Sequence, residues 1–501
     1  MQSAKLSHRL TTQDSSFLYG ESESAPLHFS GLATFEGVID FAKLRDYMEH
    51  RLPLLPRFRQ RLVFAPFNFA HPALGDDPDF KITNHLFHHQ LADGSDEAAL
   101  QAAALRVLEP LMDRSRPLWE MHLFTGLEGN RSAVLWKIHH CIVDGVSWVE
   151  TLNVMLEPRR DAVAPQCMEV DEPKPLGNAA ERLLDAAYDL ASTQLSAVRR
   201  ITNPANLCAK TPSAAYAISE AIGPLLRPTV LAPWNEGIVT KSRAMAWLRF
   251  PIEDLCSIRK AFGGTVNDLA LTALGEGAAR YLHHHKRDTR RSRLRIGCPV
   301  SVRSQDEMGT LGNRVSMMIP ELDAAPMDPV ARLKSVCEQT RRIKSSNEAR
   351  AADVLMSAAD LIPPAAMALA LSLSTRAIDS AASIATRAPM IARMMTLRVA
   401  AINFIATNVA GPKGPVYLAG HHMIDYVGMI PLGGNIGYGV VIATYDQNLY
   451  FGMMAAPDLM ADLETMKFYV AQAFEDLALA AKKQLGPKAV SVEVASHAEA
   501  A

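Results

Sequence analysis

The stretch "KIHHCIVDG" (137–145) places His-His, three residues and Asp-Gly directly after the apolar run "SAVLWKI" (132–138). In an extended chain Val134, Trp136, Ile138 and His140 share one face and His139 takes the other. The strand is expected to end in a loop at Asp144-Gly145. The next segment, "VSWVETLNVMLE", sets Trp148, Thr151, Leu152 and Met155 at helical spacing. A histidine at the end of a buried strand, beside a tight turn, is rigidly held. Its ordinary pKa lies near neutrality, so it has both properties that general-base chemistry needs.

Outward from the motif, "LWEMHLF" and "SAVLWKI" are joined by "TGLEGN", which predicts a hairpin with glycines in its turn. Upstream, "LHFSGLATFEG" reads as a strand and "DFAKLRDYMEHRL" as a helix. "SDEAALQAAALRVLEPLM" reads as a second helix capped by Ser95 or Asp96. The seven-position pattern also occurs at 88–94, inside "FHHQLADGS". That copy follows the polar "DDPDFKITNHLF", and its Asp93-Gly94 reads as a turn before the helix cap. An ordinary surface strand end and turn explain all its residues, so 139–145 is taken as the active copy.

The charged, proline-rich "EPRRDAVAPQCMEVDEPKPLG" (157–177) reads as a linker and is followed by the helical "AAERLLDAAYDLASTQLSAVRR". A new α/β pattern starts at "RAMAWLRFP". Further helices are read at "EDLCSIRKAFG" and "VNDLALTALGEGAARYL", and strands at "RLRIGCPVSV", "RVSMMIP", "INFIATN", "GVVIATY" and "LYFGMMA". The expected fold class is α/β, with two similar mixed-sheet domains joined by a long helical crossover. The expected division is an N-terminal domain at 1–157, a linker and crossover helix at 158–240, a C-terminal domain at 241–485 and a loose tail at 486–501.

Composition narrows the function. Hydrophobic residues form 49% of the 501 positions and the formal net charge is -2, so a packed core is expected and nucleic acid is not the expected partner. The six cysteines are scattered singly, which argues against a zinc cage or a disulfide framework; reduced thiols and a cytoplasmic location are expected, with no metal. The polar start "MQSAKLSHRLTTQDSS" lacks a signal peptide's apolar core. From Leu361 to Thr375 the chain carries no charge, and Arg387, Arg393 and Arg398 follow among apolar residues. The region 361–400 reads either as packing helices or as an amphipathic segment lying on lipid. "GVSWV" has Val149 where a nucleophile elbow needs glycine, and "GEGAAR" and "GGNIGYG" miss the dinucleotide pattern. "HHHKR" (283–287) suits the C-terminus of a helix.

With "HHCIVDG" at a strand end, the chain resembles the bacterial wax ester synthase/diacylglycerol acyltransferase family, within the CoA-dependent acyltransferases that share His-His-x-x-x-Asp-Gly. The resemblance also rests on "LTTQDSSFLY" (10–19), "LPRFRQRL" (55–62), "DRSRPLWE" (113–120), "VNDLAL" (266–271), "PVSVR" (299–303) and "GTLGNRVS" (309–316). Pro117, Leu118 and Trp119 precede 139–145 as the family pattern requires; no such element precedes 88–94. "TNVAGP" (407–412) departs from the family's Ser-Asn-Val-Pro-Gly-Pro-like stretch at Thr407 and Ala410.

The resemblance implies an active site between two domains of the CoA-dependent acyltransferase type. Acyl-CoA would be the co-substrate, with no resident cofactor, and a long-chain alcohol or diacylglycerol the acceptor. His140 would be the general base. Asp144 would orient it, with Arg303 as a distant partner, and Gly145 would permit the turn. Asn267 and Asp268, at a helix start in the second domain, would support the oxyanion or the substrate channel, and His139 would be a packed neighbour. Peripheral contact with the inner membrane or with lipid droplets through 361–400 is also expected. Two other readings share the pattern: a condensation-type enzyme with an amine or carrier-bound acceptor, and a non-catalytic droplet-surface protein.

Overall fold

The hairpin that carries the motif lies within a six-stranded sheet, its second strand at the sheet's middle. Its order is Tyr417–Leu418, His421–Met429, His28–Glu36, Arg131–His139, Trp119–Leu127 and Leu86–Ser95. All neighbours are antiparallel except the last pair. The hairpin turns at Glu128-Gly129-Asn130, where Gly129 and Asn130 have φ of 70° and 52°; glycine and asparagine are residue types that tolerate that region. From Ser132 to His139 every residue of the strand is buried, so both of its faces are covered.

The computed structural model describes residues 8–143, 145–161, 178–202, 232–236, 240–289, 292–301, 315–345, 359–373, 402–412 and 414–486. A second sheet runs in the order Val315–Met318, Arg293–Ser301, Phe404–Ala410, Tyr438–Tyr445, Asn448–Ala455 and Ala244–Pro251, with Glu321–Asp323 also pairing to Arg293–Ser301. Phe404–Ala410 is parallel to both its neighbours. The helices Ile252–Phe262, Val266–His284 and Leu463–Leu485 pack together beside this sheet, and Phe250 stacks on Phe474 at 4.1 Å. The glycines of "GEGAAR" serve this packing: a Cβ on Gly277 would run into the backbone of Val470 on the last helix.

The strand His421–Met429, from the C-terminal half, is hydrogen-bonded to His28–Glu36 of the first sheet. Its Gly428 meets Gly452 of the second sheet so closely that a side chain on Gly452 would fall on the Gly428 carbonyl oxygen. Ala443, Tyr445, Tyr450 and Met454 accordingly belong to the core of the first half.

Two local expectations change. The strand Leu86–Ser95 runs through Asp93-Gly94, with a register shift between Gln90 and Ser95 in place of a clean turn. A small sheet of His8–Arg9, Ala73–Asp76 and Gln60–Val63 has strands too short to declare themselves by alternation.

Candidate active site

The strand Arg131–His139 ends at the first histidine, and His140 lies in the turn that follows. His140 is half-buried. Its ring stacks on Phe17 (4.1 Å between centroids, 9° between planes) and meets the edge of Phe29 at 5.6 Å. Its backbone N–H donates to the Leu27 carbonyl at 3.1 Å. Two aromatic walls and a fixed backbone therefore define where the imidazole can point.

His139 is fully buried. Its Nδ1 accepts the Cys141 backbone N–H at 3.1 Å, which leaves the ring proton on Nε2. That Nε2 lies 3.3 Å from Oε1 of Glu21. Its own N–H donates to the Leu118 carbonyl at 3.1 Å, and its carbonyl accepts the Ile142 N–H. His139 thus closes the turn with its side chain while joining two strands through its backbone.

Glu21 is 1% exposed along its side chain. It also accepts the Leu27 N–H at 3.0 Å and Nη2 of Arg114 at 2.8 Å. Burial by itself would raise the Glu21 carboxyl, but the contacts to His139 and Arg114 outweigh it and hold the group down to about 2. Arg114 donates as well to the Leu18 carbonyl. The buried Arg57 donates to the Ile142 carbonyl at 2.8 Å, clamping the turn from a third side. Burial pushes the Cys141 thiol well up, so it stays protonated.

Of the "PLW" residues, Leu118 holds His139 through its carbonyl. Trp119 is buried, donates its indole N–H to the Phe58 carbonyl at 2.7 Å and stacks on His85 at 4.7 Å. Pro117 contributes the carbonyl that accepts the Trp119 N–H. Gly145 opens the helix Gly145–Met155, which packs on the strand Phe404–Ala410 of the other sheet, beside "TNVAGP". Trp148 on this helix donates to the Tyr426 hydroxyl at 2.7 Å.

Asp268 caps its own helix: its carboxylate accepts the Thr265 N–H at 2.8 Å and the Thr340 hydroxyl at 2.7 Å. Asn267 is half-buried in the same first turn. Asp144 and Arg303 lie outside the described residues. Phe17, Phe29, Glu21, Arg57 and Arg114 were not singled out from sequence. Three of them sit inside the stretches quoted for the resemblance, and Thr11-x-x-Asp14 is a helix-capping pattern that marks the start of Phe17's helix.

No helix among the described residues is long and apolar enough to cross a membrane. No group of three or more His, Cys, Asp or Glu among them is arranged to hold a metal ion.

Two mixed sheets, with paired histidines ending a central strand of one of them, make the fold that of acyltransferases and condensation domains. A wax ester synthase/diacylglycerol acyltransferase from Marinobacter aquaeolei superposes with a TM-score of 0.61 at 19% identity, covering 94% of this chain and 99% of that one. The first condensation domain of the calcium-dependent antibiotic synthetase gives 0.59 at 14% identity, over 96% and 98%. The family model of the wax ester synthase/diacylglycerol acyltransferase catalytic domain matches residues 10–270, and that of the WS/DGAT C-terminal domain matches 311–478. A probable diacylglycerol O-acyltransferase of Mycobacterium tuberculosis is 28% identical over 459 residues, covering 91% of this chain and 92% of that one. The chain belongs to the wax ester synthase/diacylglycerol acyltransferase family and is an acyl-CoA-dependent acyltransferase.

Proposed function

We propose that the chain moves a long-chain acyl group from CoA to the hydroxyl of a fatty alcohol or of a diacylglycerol, with His140 as the general base. The observation that carries this reading is the placement of His140: half-buried, ring-stacked on Phe17, beside the turn clamped by His139, Arg57 and Leu118. The His140 imidazole takes the proton of the acceptor hydroxyl as its oxygen attacks the thioester carbonyl. The tetrahedral intermediate collapses, the C–S bond breaks, and the CoA thiolate leaves with that proton returned from the imidazolium. No covalent enzyme intermediate is needed. General-base help of this kind contributes about 10²–10⁴-fold, and holding both long chains in line adds to it.

Asp144, with Arg303, orients the loop in this scheme, and Gly145 lets the turn pass into its helix. Asn267 supports the oxyanion from the second half; Asp268 shapes that helix start. The active site lies between the halves 1–157 and 241–485, with 158–240 as the crossover. Support for that placement comes from the packing of Gly145–Met155 on Phe404–Ala410.

The test is CoA thiol release from palmitoyl-CoA with hexadecanol or with a diacylglycerol. We expect acceptor-dependent release that falls about 10²–10⁴-fold in His140→Ala. The preferred acceptor names the product class. Undiminished turnover in His140→Ala would reject the assignment, and release with neither acceptor would favour the carrier-acceptor or droplet-coat reading. We further propose that the enzyme works at a lipid surface, reached through the start of 361–400, where Leu361, Ile362, Leu369 and Leu373 are exposed. Sedimentation with phospholipid vesicles at low salt should carry the protein down, and recovery of all of it in the supernatant would rule the contact out.

A further inference from the structure

Behind the two histidines lies a carboxylate that the reaction scheme above does not use. Glu21 follows directly on the helix Thr12–Gly20 and is its C-cap residue. Four positions earlier on the same segment, Phe17 stacks on His140. A single short element therefore reaches both members of the pair: its ring touches the second histidine and its carboxylate faces the first.

We propose that Glu21 is a positioning residue for the acyltransferase reaction, acting through His139 and through the Leu27 peptide to hold His140 against Phe17. The inference rests on the assignment of His140 as the base. Two routes lead from the carboxylate. By the first, Oε1 faces Nε2 of His139 at 3.3 Å, and the same ring accepts the Cys141 N–H on Nδ1. The negative carboxylate beside Nε2 favours the proton on that nitrogen, the tautomer in which Nδ1 is left to accept and fasten the turn. By the second, Oε1 accepts the Leu27 N–H at 3.0 Å, and the carbonyl of Leu27 accepts the His140 N–H at 3.1 Å. Oε2 is taken by Arg114, which is anchored in turn on the Leu18 carbonyl next to Phe17.

A buried carboxylate is costly unless paired and hydrogen-bonded, and here each of its contacts leads to the histidine pair or to the segment that walls it. A carboxylate that served only the helix would have no need to lie against His139.

The experiment compares wild type, Glu21→Gln and Glu21→Ala by kcat and KM for acyl-CoA, by the pH profile of kcat, and by thermal unfolding. A misplacement of about 1 Å can cost 10²-fold in rate, so Glu21→Ala should lose about 10²-fold in kcat with KM changed less than about two-fold. Glu21→Gln keeps an acceptor for Leu27 and should recover about ten-fold of that loss. Where Glu21→Ala does not fold, the Glu21→Gln and Arg114→Gln variants carry the comparison, each expected to lower kcat at unchanged KM. Wild-type kcat per folded molecule in any variant that removes the carboxylate, or an activity loss that follows the folded fraction alone, would overturn the proposal. An inactive wild type would instead overturn the reading of the function on which it rests, so the two failures are told apart by the wild-type assay.

Discussion

His28 stands directly across the strand ladder from His139, has no part in the proposed chemistry, and couples stability to acid. The residue is buried, and its Nε2–H donates to the Leu108 carbonyl at 2.7 Å. Burial, with the Lys137 ammonium nearby, holds its pKa down to about 3 from an ordinary 6.5. The folded protein keeps this ring neutral over a range in which the unfolded chain takes up a proton. The contribution is present in full above about pH 6.5 and is lost as the pH falls toward about 3, at a rate approaching about 1.4 kcal/mol per pH unit for one proton. We expect the melting temperature of His28→Gln to fall less steeply between pH 6.5 and 4 than that of the wild type. Parallel slopes for the two proteins would contradict this.

At the scale of elements, the two copies of the histidine pattern lie in different surroundings. His139-His140 ends a strand covered on both faces, whereas His88-His89 lies in the edge strand Leu86–Ser95. The second pair is spent on neighbouring strands. His88 meets the Thr125 hydroxyl at 2.8 Å, and His89 Nε2 lies 3.0 Å from Nδ1 of His122. His122 in turn reaches Glu120 at 3.1 Å, and Glu120 lies 3.5 Å from the buried Lys137 ammonium. This chain links edge to centre across three strands. The helix Thr12–Gly20 makes a complementary point: Thr11 and Asp14 form a capping box, each side chain bonding the other's backbone N–H. The start of that helix, and with it the position of Phe17, is set by local chemistry.

Across the whole molecule the two halves are not independent layers. The strand His421–Met429 pairs in the sheet of the opposite half, and Trp148 behind the motif is tied to Tyr426 on that strand. The sheets approach at Gly428 and Gly452, where there is no room for a side chain. Overpacking at such a contact costs about 1–3 kcal/mol, and the strain falls on the element that aligns the halves around the turn. Gly452→Ala should therefore lower the melting temperature by several degrees and reduce CoA release. A variant with wild-type stability and turnover would show that the crossing does not hold the halves together.

The strand pair, the helix after the motif and the alternation of helices and strands were legible in the sequence, because each depends on local periodicity, capping or turn chemistry. His140 stands out in the sequence because the motif is contiguous. Glu21, Arg57 and Arg114 do not, because nothing in their own neighbourhoods distinguishes a buried polar clamp from a surface charge. Their partners lie far along the chain: Glu21 meets His139, Arg57 meets Ile142, and Arg114 reaches back to Leu18. The pairing of His421–Met429 with His28–Glu36 was equally hidden. Strand patterning records which face is apolar and leaves the partner unspecified. The sequence by itself determined the elements and the motif; only tertiary contact decided which sheet each strand completes and which buried charges surround the histidine pair.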